Sequence, residues 1–163
     1  MKYRKLAKAE LEELETEFVR FLAANTVTGE DWVKTKSNTP EKAEQLIELF
    51  SDLVFDKILD GVEYLEFKSP RDYKTFHCAA DKIYLLGFRV EGEVDIDFTS
   101  ELPAHEMLRN LQNEGAQIQL YSAEKNYKPE RKPEIFRMME NGALISKDGA
   151  MYKVLENLKP ENQ

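Results

Sequence analysis

The chain is poor in the residues that build disulfides and metal sites. Among its 163 residues there is one cysteine, Cys78, and there are two histidines. A single cysteine cannot close an internal disulfide or supply a cysteine-rich metal site. Disulfides are rare in reducing compartments, so this composition indicates a cytoplasmic protein without a bound metal.

The signature motifs of the common nucleotide-dependent and hydrolytic enzymes are also missing. The sequence contains no GxGxxG, no P-loop, no GxSxG and no HExxH. Each of these motifs places groups that the chemistry needs, such as backbone N–H groups around a phosphate or two histidines on one metal ion. The sequence therefore predicts no cofactor. It leaves enzymatic activity open but favours a protein without it.

Long apolar runs and an excess of positive charge are absent as well. No apolar run approaches the roughly 20 residues that span a membrane. The basic start of the chain is followed by acidic residues rather than by the apolar stretch of a signal peptide. The net charge of −8 repels phosphate backbones and anionic membranes. We expect neither nucleic acid nor a membrane as partner, and instead a protein partner or a homo-oligomer.

Glycine and proline are few, at 7 and 6 residues, and there is no low-complexity tract. A chain of this length is about one domain and can bury a substantial core. We predict a single domain over residues 1–158, followed by a frayed tail at residues 159–163.

Two long N-terminal helices are predicted from apolar residues that recur every three or four positions. The first covers residues 5–25, and the second covers residues 40–60 and starts at Thr39-Pro40. Threonine caps free N–H groups, and proline suits the first helical position. A short helix over residues 29–36 connects the two.

The later part of the chain alternates apolar and polar residues, a pattern typical of strands. The predicted strands cover residues 62–67, 73–79, 83–90, 94–98 and 117–121. Two helices are predicted, one from Thr99 or Ser100 to Glu114 and one over residues 133–141. Residues 122–132 are predicted to form a loop.

The C-terminal segment carries a turn signal, Lys147-Asp148-Gly149, between two apolar stretches, which predicts a hairpin of residues 143–146 and 150–155. The predicted fold class is therefore α+β. An N-terminal helix pair is packed on an antiparallel sheet of roughly five to seven strands, with later inserted helices and a C-terminal hairpin.

Several short segments resemble an uncharacterised protein family of the Bacteroidetes, a domain of unknown function. They are Lys2-Tyr3-Arg4-Lys5-Leu6, Phe21-Leu22-Ala23, Trp32, Ser51-Asp52-Leu53-Val54-Phe55, Tyr64-Leu65-Glu66, Phe76-His77 and Gly142-Ala143. The resemblance runs nearly end to end. It implies a bacterial cytoplasmic protein and carries over no catalytic residue.

His77 and Tyr73 are candidate binding residues on one predicted strand. Residues of equal parity on a strand point to the same face, so these two share a face and Cys78 points to the other. His77 and Cys78 therefore cannot form a nucleophile pair. A small-molecule or metal site on the sheet near His77 is the alternative to an interaction surface, and an ordinary boundary histidine is the simpler interpretation.

Asp56 and Trp32 are the two candidates from the helical part. Asp56 belongs to a row of acids, four residues apart, in the second helix: Glu44, Glu48, Asp52, Asp56 and Asp60. Each step drifts about 40° around the helix, so the row cannot converge on one ion and is expected to face solvent. Asp56 lies beside apolar residues and is expected to be partly buried. Trp32 either attaches the connecting helix to the core or forms an exposed binding hot spot.

Overall fold

The computed structural model describes residues 1–101 and 103–158, and the predicted tail at residues 159–163 lies outside them. The described residues form helices and an antiparallel sheet, which confirms the α+β class. The chain divides into two compact units, residues 1–60 and a second unit that begins at Gly61. The prediction of one domain over residues 1–158 stays a prediction.

Residues 1–60, the N-terminal unit, are helical. The helices are α1 (Lys8–Glu13), α2 (Glu15–Ala24), α3 (Gly29–Asn38) and α4 (Pro40–Asp60). The predicted bounds of α4 are confirmed. The predicted first helix is interrupted at Leu14, whose backbone leaves the helical region. In α3, Thr28 accepts a hydrogen bond from the Asp31 N–H, which caps the first turn.

An aromatic cluster holds the N-terminal unit together. The ring of Phe18 lies 5.0 Å from that of Phe50, and the ring of Phe21 lies 5.4 Å from it. Not all apolar residues that recur at helical spacing in α4 are buried, since Leu53 is 56% exposed and Ile58 is 39% exposed. Because α4 is apolar over more than half of its circumference, its sequence does not indicate which part of that surface is buried.

The second unit is built on an antiparallel sheet. Within the described residues its strands are β1 (Tyr64–Ser69), β2 (Asp72–Cys78), β3 (Lys82–Glu91), β4 (Gln117–Asn126) and β5 (Leu144–Ser146), in the order β4-β3-β2-β1-β5. The helices of this unit are α5 (Ala104–Asn113), α6 (Arg131–Glu140) and α7 (Ala150–Leu158). The strands predicted over residues 73–79 and 83–90 correspond to β2 and β3, which pair antiparallel.

One face of the sheet carries the main core. Phe88 is fully buried and contacts the rings of Tyr73 and Phe98. Helices α5 and α7 cover this face through side chains at helical spacing: Met107, Leu108, Leu111, Met151, Tyr152 and Leu155. Burial of these side chains is the main stabilising term of the unit, at about 1.5–3 kcal/mol for each large apolar residue.

The strand predicted over residues 94–98 is wrong, because these residues form a loop. Val94 and Ile96 are half-buried and Phe98 is buried, so the apolar residues do point inward. The Phe98 N–H, however, donates to the carbonyl oxygen of Pro70 rather than to a strand. The free side of β3 pairs with β4 instead. Helix α5 then begins after Pro103, not at Thr99 or Ser100.

Two predictions for the C-terminal half also fail. Strand β4 extends to Asn126, through residues predicted as loop, and pairs with β3 over its whole length. The predicted C-terminal hairpin does not form, since β5 pairs with β1 and residues 150–158 are helical. A strand would direct Met151 and Tyr152 to opposite faces, whereas a helix brings both of them and Leu155 to the face that covers the sheet.

Candidate functional site

His77 lies in a row of aromatic rings that crosses three strands. The register places it opposite Tyr64 on β1 and opposite Tyr84 on β3. Its ring is stacked 5.0 Å from that of Tyr64 and 6.1 Å from that of Tyr84, and the ring of Tyr152 lies 5.6 Å away. Opposite residues of antiparallel strands share a face, which explains the row. We call these four residues the His77 cluster.

The His77 cluster is partly buried, although three of its four residues carry hydroxyl groups. Tyr152 is 8% exposed, and its burial raises the pKa of its phenol to about 12. His77, Tyr64 and Tyr84 are each half-buried. Lys153 places its Nζ 5.6 Å from the centre of the Tyr64 ring. The packing of the four rings against one another stabilises the sheet without a ligand.

Tyr73 shares the face of His77 but belongs to the core. It is 2% exposed, and its ring lies 5.5 Å from Phe88 and 5.9 Å from Phe98. Burial, together with a hydrogen bond to Glu66, raises the pKa of its phenol far above the usual value. A ligand that reached Tyr73 would have to open the packed core.

Asp56, as expected, is largely covered, with 21% of its side chain exposed. The Tyr3 hydroxyl donates to its Oδ1 at 2.7 Å, and the Lys2 Nζ lies 3.0 Å from its Oδ2. Burial and then this hydrogen bond raise the pKa of the Tyr3 phenol. Asp56 therefore holds the start of the chain against α4.

Two further members of the acidic row also bind the start of the chain. Asp52 accepts the backbone N–H groups of Lys2 and Tyr3, at 2.9 and 3.3 Å, and Glu44 forms an ion pair with Lys5 at 2.7 Å. We call residues 2–6 the strap. The acidic row of α4, which was predicted to face solvent, therefore partly binds the strap. The basic residues at the start of the chain are visible in the sequence. No local pattern, however, indicates that they pair with acids of a helix about fifty residues away.

Ser51 makes the buried contact of the strap, and its replacement is a direct test. Its Oγ accepts the Leu6 N–H at 2.9 Å, and Ser51 is fully buried. We expect Ser51→Ala to lower the free energy of unfolding by about 1–3 kcal/mol, because a buried N–H loses its partner. Urea unfolding measures this. Ser37→Ala, at an exposed position of α3, is the control. Equal stability of the two variants would contradict the role of the strap.

Trp32 attaches α3 to its neighbour. Its ring meets Phe18 edge-on at 5.2 Å with an interplanar angle of 82°, and the Lys36 Nζ lies 5.7 Å from its centre. Trp32 is half-buried. This geometry is typical of a tryptophan that fixes a connecting segment.

The candidate residues thus fall into two groups. His77 and Tyr73 share one sheet face of the second unit, and Asp56 and Trp32 belong to the N-terminal unit. The structure surrounds His77 with tyrosines that sequence did not single out, since their contact depends on strand register. Among residues 1–101 and 103–158 no group of three or more histidine, cysteine or acidic side chains could hold a metal ion.

Two cavities of the second unit lie away from His77. One, of about 140 Å³, is lined by apolar and polar side chains of the loop and of α5, among them Ile96, Met107, Asp95, Asp97 and Glu114. The other, of about 200 Å³, is on the opposite sheet face and is lined by Phe76 and Leu85. Neither cavity places a histidine beside an acid.

Strand β4 forms a long edge of the sheet. It has ten residues and pairs on one side with β3. Within the described residues, no hydrogen bond reaches the backbone of β4 from its outer side. Its outward N–H and C=O groups therefore form a row that a further strand could pair with. The other edge, β5, has three residues.

The edge has few of the features that usually deter pairing. Residues 117–126 contain no proline and no glycine, and their charged residues, Glu124 and Lys125, stand near one end. Both are engaged, Glu124 with Lys82 at 3.4 Å and Lys125 with the buried Glu134 at 2.5 Å. Edge strands normally carry charges, prolines or bulges that prevent association.

Tyr121 anchors the middle of β4 to β3. Its ring lies across Gly87, where a side chain would clash with it, and its hydroxyl donates to Asp72. Burial raises the pKa of the Asp72 carboxyl, but hydrogen bonds from Lys74 and Tyr121 outweigh it and lower the pKa overall. The guanidinium carbon of Arg89 lies 5.2 Å from the ring centre. The edge is thus held in a fixed register.

Comparison with known proteins identifies a family. No helix in the described part of the chain has the length and apolar character needed to cross a membrane. No curated protein and no solved structure matches the sequence. The model of a family of unknown function, DUF6495, matches residues 1–160. The match covers nearly the whole chain, so the chain belongs to this family of unknown function.

Proposed function

We propose that this chain is a non-catalytic protein–protein interaction module of the bacterial cytoplasm, and that it binds a partner strand along the outer side of β4. The observation that carries the proposal is the open backbone edge of ten residues. The single cysteine and the acidic composition support the location.

A partner strand would pair with backbone groups that are already ordered. A strand of ten residues spans about 33 Å, and every second residue directs its N–H and C=O groups outward. Each new hydrogen bond contributes about 1 kcal/mol net, because water is displaced from both groups. Main-chain pairing then provides affinity, and the flanking side chains provide specificity.

The side chains along β4 divide by face. Ile118 and Leu120 are half-buried and pack against the core cluster. Gln119 and Ala123 are exposed on the other face. An added strand would lie beside Ile118 and Leu120 on one face and beside Gln119 and Ala123 on the other, and its side chains at these positions determine which partner fits.

The test compares two variants with equal charge changes. Gln117→Lys with Gln119→Lys places cations on the edge, and Gln112→Lys with Asn113→Lys places them on exposed positions of α5. Each tagged full chain is used to capture proteins from cells that express it. We expect the wild type and the α5 variant to retain a defined protein that the edge variant loses. Capture of the same proteins by both variants would contradict binding at β4.

A second candidate function is a small-molecule-binding protein with its site at the His77 cluster. The half-buried His77 between stacked tyrosines favours it. A thermal-shift screen against metals, nucleotides and common metabolites tests this, since a ligand at one hundred times its Kd stabilises by about 2.7 kcal/mol. A stabilising ligand whose effect is lost in His77→Ala would support this candidate. A screen without such a ligand would count against it.

A further inference from the structure

We propose that the strand bound at β4 is β4 of a second copy of this chain, paired antiparallel about a two-fold axis at Tyr121. The inference rests on the proposed function, because it uses the same edge, and it names the partner. Two sheets of the same order would join at β4 into one continuous sheet of twice the width. Closed two-fold pairing of this kind uses one surface patch on both copies.

In this alignment each residue of β4 lies opposite a residue of the second β4 that points to the same face. A two-fold axis normal to the sheet makes the two β4 strands antiparallel, and residues opposite each other must point to the same face. With Tyr121 at the axis, Gln119 lies opposite Ala123 of the other copy, and Gln117 lies opposite Lys125. The alignment uses the strand from Gln117 to Lys125, nearly its whole length.

Charge permits the pairing although the chain carries −8. The strand holds one acid and one base, so it is neutral within an acidic molecule. In the Tyr121 alignment Glu124 lies opposite Ile118, and Lys125 lies opposite Gln117. No two like charges face each other, and like charges directly opposite are what destabilise strand pairs.

The central side chains leave room for the second copy. The Tyr121 ring lies across Gly87, on the side of β3, so it does not stand over the open edge. On the core side, the two Leu120 side chains become diagonal neighbours across the axis, within reach of each other. Each half-buried Leu120 side chain would then be covered by the core of its own chain and by the second copy.

A second copy also has an entropic advantage over a flexible peptide. A disordered segment loses backbone conformational entropy when it becomes a strand, and this loss weakens binding. The β4 strand of another molecule is already extended by its ladder with β3 and by the Tyr121 hydrogen bond to Asp72. Pre-ordered partners keep more of the interaction energy as affinity.

The experiment is sedimentation equilibrium of the purified full chain, with two variants that differ at one side chain. Gln119→Lys with Ala123→Lys sets like charges opposite each other in the dimer. Gln119→Lys with Ala123→Glu sets opposite charges there. We expect a wild-type dimer of twice 19.0 kDa. We also expect about a tenfold weaker dimer in the first variant than in the second, since two cross-strand pairs change sign. Circular dichroism checks that both variants fold.

Two outcomes would overturn the inference. One is a wild-type chain that stays monomeric up to about 1 mM, a concentration that corresponds to very weak binding. The other is an equal dimer Kd for the two charge variants. A monomeric chain that still captures a different protein through Gln117 and Gln119 overturns the second-copy inference and leaves the proposed function in place.

Discussion

Replacing Phe88 by alanine is expected to lower the free energy of unfolding by about 3–5 kcal/mol. Phe88 is fully buried, and its ring lies 5.5 Å from that of Tyr73 and 5.1 Å from that of Phe98. Truncation removes the buried surface and leaves a cavity that these rings cannot fill. Urea unfolding followed by circular dichroism measures the loss.

Leu144→Ala is the matched control for Phe88→Ala. Leu144 lies on β5 and is 64% exposed, so its truncation is expected to change stability by less than about 0.5 kcal/mol. If Phe88→Ala cost no more than Leu144→Ala, the core assigned to this sheet face would be wrong.

Replacing Gly149 by alanine is the second change with a large expected effect. Gly149 has a φ of +62°, and an added Cβ would lie 2.5 Å from ring atoms of Tyr64. The left-handed backbone costs a non-glycine residue about 1–2 kcal/mol, and overpacking adds about 1–3 kcal/mol. We expect a total loss of about 2–5 kcal/mol in urea unfolding.

Gly115→Ala separates the two contributions to the Gly149 effect. Gly115 also has a positive φ, of +69°, but an added Cβ there meets nothing within 4 Å. Its replacement should show the backbone cost alone. Since the Tyr64 ring is stacked on His77, Gly149→Ala should also shift the His77 ring resonances in NMR spectra. Equal losses for the two variants, with His77 unmoved, would contradict the contact.

Helices α3 and α4 were the most predictable elements of the fold. Helix α4 carries its own start and stop signals, Pro40 and Asp60-Gly61, and its apolar residues repeat at helical spacing. The cap of α3 at Thr28 is equally local. Such signals act within one turn, so they can be read without knowledge of the rest of the chain.

The errors arose where distant partners decide the structure. Residues 94–98 alternate like a strand, but a strand needs a neighbour, and β3 pairs with β4 instead. Residues 122–126 are exposed and have no apolar pattern, yet they extend β4 because β3 is equally long. Residues 150–158 became a helix because its apolar face covers the sheet.

The candidate site shows the same limit. The parity of β2 placed His77 and Tyr73 on one face from sequence alone. Register was needed to bring Tyr64 and Tyr84 to His77, and burial was needed to assign Tyr73 to the core. The open edge of β4 depends on strand order, which local sequence patterns do not contain.

Amide hydrogen exchange shows whether the outer side of β4 pairs with a second copy of the chain. Exchange of residues 117–126 is measured by NMR in dilute and in concentrated samples of the full chain. We expect alternate amides, those directed outward, to exchange rapidly in the dilute sample and to become protected as concentration rises, while amides of β5 do not change. Rapid exchange of the outward amides even in the most concentrated sample would contradict pairing of β4 with a second copy.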